Sequence, residues 1–182
     1  MTTTKNASRL GGRIGVCLLV LAAGTVDRDA LAGQQQPLPY VMTVIRDQAE
    51  GERMLAGEYE SAIQKLTASN DGPAGFAARN NLCVALTKTG QLAAALEACD
   101  AALEQAPPPG SIVQFYERGK RYDGRAVALA NRGVARAISG DEAGARRDFQ
   151  EAARLGRYLE APAVNLALLD GDEAAAATAA AR

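Results

Sequence analysis

A chain of 182 residues is long enough for one domain, or for one short repeat array behind a leader. Aromatics make up 4% and histidine is absent, which removes the commonest general base and transition-metal ligand, and the three cysteines lie too far apart for a zinc spacing. A formal charge of −1 with both signs interspersed leaves no basic footprint for nucleic acid.

The first residues carry Lys5, Arg9 and Arg13 and no acid, and the run IGVCLLVLAA from Ile14 to Ala23 is apolar throughout. Ala30-Leu31-Ala32 then has the small-x-small form that a signal peptidase accepts. Residues 1–32 therefore read as a cleavable export signal, with a second possible cut after Gly24. A transmembrane anchor is the alternative, but the apolar run reaches only half of the roughly 20 residues a bilayer needs. Cys17 sits too early in that run, without a leucine three places ahead, to be a lipoprotein cysteine. Cleavage removes Lys5, Arg9, Arg13 and Arg28 against Asp27 and Asp29, so the exported chain is the more acidic. The expected location is the periplasm or the exterior, with no stable membrane insertion after cleavage.

Residues 33–42 open with GQQQPLP, which has no periodicity and two prolines, and read as a flexible or extended lead-in. The apolar positions Val41, Val44, Ile45, Ala49 and Leu55 suit a helix over 40–56. Gly57 turns the chain into a second helix over 58–69 carrying Tyr59, Ala62, Ile63 and Leu66, and Asn70-Asp71-Gly72-Pro73 ends the pair. From Phe76 to Pro109 two helical patterns flank Thr89-Gly90-Gln91. Their apolar stripes run through Leu82, Cys83 and Leu86, and through Leu92, Ala95, Leu96, Cys99, Ala102 and Leu103. After an interruption at 110–125, a third pair covers 125–139 and 141–155 around Gly140. Pro162 then starts a short helix to Leu169, Gly171 turns it, and an alanine-rich helix ends the chain. The sequence predicts no strand.

Aligned on Gly57, Gly90, Gly140 and Gly171, the pairs repeat. Five places on lie Ala62, Ala95, Ala145 and Ala176, and nine places on lie Leu66, Cys99 and Phe149. Seven places before the second and third turns lie the small residues Cys83 and Gly133. Closely crossing helices require small side chains where the axes approach to about 8–9 Å, with larger ones filling the flanking gap.

On Leu82-Cys83, Leu86, Gly90, Ala95, Cys99, Ala102 and Pro107 of the second unit, and Gly133, Gly140, Ala145, Phe149 and Ala152 of the third, the chain resembles the tetratricopeptide repeat (TPR) family. The first unit matches at Ala49, Gly57, Tyr59, Ala62 and Leu66 but has Glu50 where a small residue is expected, and the fourth is truncated. The resemblance covers about 43–182, with repeats at about 43–75, 76–109 and 126–159, an insertion at 110–125, and a partial capping pair at 160–182. It implies an all-α, right-handed superhelical stack of antiparallel helix pairs, a TPR-like α-solenoid, whose concave groove binds a peptide segment of another protein.

The groove-facing candidates are Asn81 and Asn131, each nine places before its turn glycine, and Asn165 in the same local frame, with Arg79 and Lys88 among the neighbouring cations. An asparagine amide both donates and accepts, as a peptide backbone requires. Solvated or inter-helix asparagines are the bland reading. On the groove reading, replacing Asn81 and Asn131 would weaken a bound peptide and leave melting unchanged. The family's carboxylate-holding members place Lys and Arg at positions that this chain, with Arg132 and Arg136 nearby, does not reproduce. In the insertion, Phe115 and Tyr116 beside Arg118 either form a binding loop or plug the gap between adjacent pairs.

Loss of the leader removes Cys17 and leaves Cys83 and Cys99 on the facing stripes of one hairpin. Counting from the turn sets Cys99 about one turn, roughly 6 Å, beyond the residue opposite Cys83. A disulfide tolerates Cα separations up to about 7 Å, so a bond and two buried free thiols both stay open.

No nucleophile–base pairing, phosphate loop, metal-ligand set or cofactor motif is present in the sequence. The acids Asp141-Glu142 and Asp172-Glu173 fall in first helical turns, where they complement the helix dipole. The expectation is a non-catalytic interaction or scaffold module without metal or cofactor, whose partner is a protein or peptide. A self-assembling or assembly-factor component of the cell envelope is the alternative, and a helical hydrolase the remote one.

Overall fold

Eight helices and one two-stranded hairpin make up the described residues of the computed structural model, which are 39–46, 48–68, 75–109, 112–117 and 120–181. All fall within the unit Pro37–Arg182. The helices are α1 (Gly51–Leu55), α2 (Tyr59–Leu66), α3 (Gly75–Lys88), α4 (Leu92–Glu104), α5 (Gly124–Ile138), α6 (Glu142–Leu155), α7 (Ala161–Leu169) and α8 (Glu173–Ala180). From α1 to α8, each helix packs on the next in sequence, and α3, α5 and α7 also meet through α3–α5 and α5–α7 contacts. The described residues are mostly α-helical. No helix among the described residues is long and apolar enough to cross a membrane. The expected leader, residues 1–32, and most of the lead-in lie outside the described residues.

Gly57, Gly90, Gly140 and Gly171 all have positive φ, between 73° and 88°, a conformation that costs other residues a Cβ clash. Each closes its helix in the same way. At the second turn Gly90 N–H donates to the Thr87 carbonyl (3.1 Å) and Gln91 N–H to that of Leu86 (2.9 Å), and the other three turns repeat both bonds. This pairing of bonds satisfies carbonyls that a helix end otherwise leaves orphaned. The side chains of Asp123, Asp141 and Asp172 cap the amides of Ala126, Gly144 and Ala175, starting α5, α6 and α8.

Small residues do sit where helices cross. Ala62, Ala95 and Ala145 are fully buried and Ala176 nearly so. At Gly133 a Cβ would stand 2.5 Å from Cε1 and 2.6 Å from Cδ1 of Phe149, so α5 and α6 approach this closely only because Gly133 has no side chain. In α3 and α4 the matching places hold Cys83 and Cys99, whose Sγ atoms are bonded at 2.05 Å with Cα atoms 4.9 Å apart. Of the two possibilities left open, the bond is the one formed, and the Cα separation falls inside the range a disulfide tolerates.

Two expectations of local structure are corrected. Residues 40–56 do not form one helix: 41–45 have no helical structure, 46 and 48–50 turn or bend, and only Gly51–Leu55 is helical. The β-branched Val41, Thr43, Val44 and Ile45 are stiff at χ1 and favour extended backbone, and their main chain finds hydrogen-bond partners outside any helix, as described below. The interruption at 110–125 is also not strand-free. It holds β1 (Ile112–Glu117) and β2 (Lys120–Asp123), antiparallel, pairing Ile112 with Asp123 and Val113 with Tyr122, with a register irregularity between Gln114 and Glu117. The run IVQFYE is rich in strand-forming residues, and the paired strand supplies the hydrogen bonds that a lone segment lacks. Tyr122 is buried against Ala126, Leu129 and Leu159 and so fills space at the start of α5.

Candidate functional site

The backbone of residues 41–45 runs across α7, α5 and α3 in that order, and an asparagine from each helix holds it. Val41 N–H donates to Asn165 Oδ1 and the Val41 carbonyl accepts from Asn165 Nδ2, both at 2.8 Å. Thr43 makes the same pair of bonds with Asn131, at 2.8 and 2.9 Å, and Ile45 with Asn81, also at 2.8 and 2.9 Å. An extended chain points the N–H and C=O of alternate residues to one side, and two residues rise about 6.6 Å. One carboxamide per helix therefore meets every second residue, and none of the bonds reads a side chain.

All three asparagines are fully buried. Their burial argues against replacing Asn81 and Asn131 without cost to melting, since Asn81→Ala strands the buried main chain of Ile45 and Asn131→Ala the buried Asn80 carboxamide. Asn80, which the sequence reading passed over, completes the network. It is fully buried, donates to the Thr43 carbonyl at 3.2 Å and accepts from Asn131 Nδ2 at 2.9 Å. The visible signal was the Asn80-Asn81 doublet inside an apolar helix. Asn81 Nδ2 also reaches the carbonyls of Gln48 (3.1 Å) and Ala49 (3.0 Å), fixing the turn into α1.

Side chains alternate across the segment. Tyr40 and Met42 pack with Val134 and Phe149, and Val44 packs with Met54, Ala62 and Val84. The Tyr40 ring stacks on Phe149 with centroids 6.5 Å apart and planes 29° apart. Ile45 points the other way, into the cluster around Tyr122 and Val127. Beside the segment lies a cavity of about 410 Å³, lined by Val41, Thr43, Leu55, Tyr122, Leu159 and Val164 among others.

Burial, with a smaller push from Glu142, holds the Tyr40 phenol above its ordinary value of 10.0. A phenol whose pKa is higher in the folded chain favours folding while neutral. Its contribution is intact below the ordinary value and is lost as pH climbs through the raised one. Alkaline titration of the wild-type chain is thus expected to loosen the segment above about pH 10, whereas Tyr40→Phe removes that step; fluorescence of a probe on the segment reports both.

The expected cations are not gathered on the ladder. Arg132 and Arg136 both bind Asp148 of α6. Arg132 Nε and Nη2 donate at 2.8 and 2.7 Å and Arg136 Nη1 at 2.9 Å, while Arg132 Nη1 reaches Asp100 of α4 at 2.8 Å. Its bonds to Asp148 raise the Arg132 pKa further, against the opposing effect of burial. Arg79 stands two residues before Asn81, about 200° round α3 and off its face, and its Nε is buried without a hydrogen-bond partner. Lys88 lies two turns beyond Asn81 at the end of α3, half-buried, with its pKa lowered by desolvation. Arg118 and the side chains of Phe115 and Tyr116 lie outside the described residues.

Comparison with protein families, with curated proteins and with solved structures returns no match.

Proposed function

We propose that this chain is an exported, non-catalytic interaction module of the TPR-like α-solenoid kind, and that the face shared by α3, α5 and α7 is a groove for an extended peptide of another protein. The observation that carries the reading is the asparagine ladder. Buried carboxamides with the spacing of alternate residues are built to hold polypeptide backbone, and they hold one here. The four repeated glycine turns and the Gly133–Phe149 crossing support the repeat architecture, in which stacked pairs form a right-handed superhelix. The Cys83–Cys99 bond supports an oxidising compartment, and with it the export signal.

Panning a library of linear peptides against the chain spanning 33–182 tests the reading. Binders are expected to be enriched, and to bind at least about tenfold more weakly to Asn131→Ala or Asn165→Ala while far-UV circular dichroism of the variants stays helical. No enrichment, or binding indifferent to both replacements, overturns it.

A further inference from the structure

The segment that sits on the ladder also defines what could replace it. We infer that residues 40–45 are an exchangeable occupant of the groove, and that the partner's ligand is an internal extended segment of the same form: uncharged, with large apolar residues at alternate positions. This inference rests on the groove reading above and names its ligand class.

Four observations carry it. First, the ladder bonds only the main chain of the segment, so any extended backbone in register satisfies it as well as this one. Second, selectivity comes from the side-chain alternation. One edge offers a seat against Phe149, filled by Tyr40, and further apolar seats filled by Met42 and Val44; the other offers the buried place of Ile45. A charged side chain at the buried place of Ile45 would be desolvated, and an acid at the place of Tyr40 would meet Glu142. Third, the chain continues on both sides of the seated residues and the nearby arginines are committed to Asp148, so the site takes an internal segment, not a terminal carboxylate. Fourth, the tether is strained. Ala49 (φ 48°) and Glu50 (φ 62°) are consecutive non-glycine residues in the left-handed region, held there by Asn81 and by the Arg53–Glu50 ion pair. Release of the segment relieves both residues, which lowers the barrier to exchange. The direction is also set: the ligand runs from α7 towards α3, against the order of the helices.

The apparent affinity of a groove that is open only part of the time falls in proportion to the open fraction. A labelled peptide of sequence PYVMTVIQ is therefore expected to bind the wild-type chain weakly. Thr43→Pro removes the N–H that Asn131 accepts and should tighten peptide binding about tenfold or more. Tyr40→Ala, which opens the segment without touching the ladder, should act in the same direction and covers the case in which the proline variant fails to fold. Ala49→Gly suits the turn and keeps the Arg53–Glu50 ion pair, so it closes the segment more firmly and should weaken peptide binding by about threefold or more. Fluorescence anisotropy reads all four. Peptide affinity unchanged by these substitutions overturns exchange while leaving the groove reading intact if library peptides still bind in an Asn131-dependent way; no binding by any peptide overturns both. A concentration-dependent dimer of Thr43→Pro that the peptide does not dissociate would assign the exchange to a second copy of this chain and overturn the assignment to a partner's segment.

Discussion

Asp148→Ala is expected to lower the stability of the chain by about 3 kcal/mol, near the lower end of what removing one member of a buried ion pair costs. Asp148 is only 4% exposed and is the carboxylate to which both Arg132 and Arg136 donate. Its loss takes from Arg132 and Arg136, one turn apart on α5, the carboxylate they share, and leaves Arg136 with the longer contact to Asp141 at 3.8 Å. Arg132 keeps Asp100 as a partner and both arginine side chains retain some solvent, at 19% and 24% exposure, which is why the upper end does not apply. In a domain of this size the change corresponds to a fall in Tm of roughly 6–12 °C. Asp148→Asn, which keeps the shape and one acceptor but not the charge, should fall between the two. A melting temperature unchanged in Asp148→Ala would mean that the network adds nothing to the α5–α6 contact.

Reduction of the Cys83–Cys99 bond is expected to cost a similar amount. The bond closes a loop with a sequence separation of 16, for which the chain-entropy model gives about 3 kcal/mol. Both cysteines are buried in the cluster formed by Leu82, Leu86, Ala95 and Ala98, so the reduced thiols would remain packed as small hydrophobes and the helices would not separate at once. The matching places in the next pair hold Gly133 and Phe149, where a ring fills the space that a Cβ would otherwise enter. The double replacement Cys83→Gly with Cys99→Phe should therefore recover part of the loss, whereas Cys99→Phe alone should be worse than reduction because Cys83 then blocks the ring. Thermal melts with and without reductant, together with thiol titration of the unfolded, unreduced chain, measure these effects. Two reactive thiols in that titration would refute the bond.

The helices from 75 onwards and the turns between them were legible in the residues themselves. Gly90, Gly140 and Gly171 stop their helices because of what a Cβ does at positive φ, and the alanines five places on are small because helices cross there; both constraints are local or nearly so. The candidate asparagines were visible as polar residues at fixed offsets from those turns. Their partner was not. Val41, Val44 and Ile45 satisfy a helical spacing, while Tyr40, Met42 and Val44 satisfy an alternating one, and a run this short carries both patterns equally well. What decided between them is that Asn81, Asn131 and Asn165 stand on three different helices, and only their packing side by side creates a row of carboxamides spaced for extended backbone. The Cys83–Cys99 separation was set in the same way by the packing of α3 on α4, and the β1–β2 hairpin by a pairing that neither strand could make alone. Turn chemistry and crossing-point size act within a single helix pair and can be read along the chain. Backbone satisfaction over a distance of 88 residues, as between Thr43 and Asn131, exists only once the intervening helices have packed.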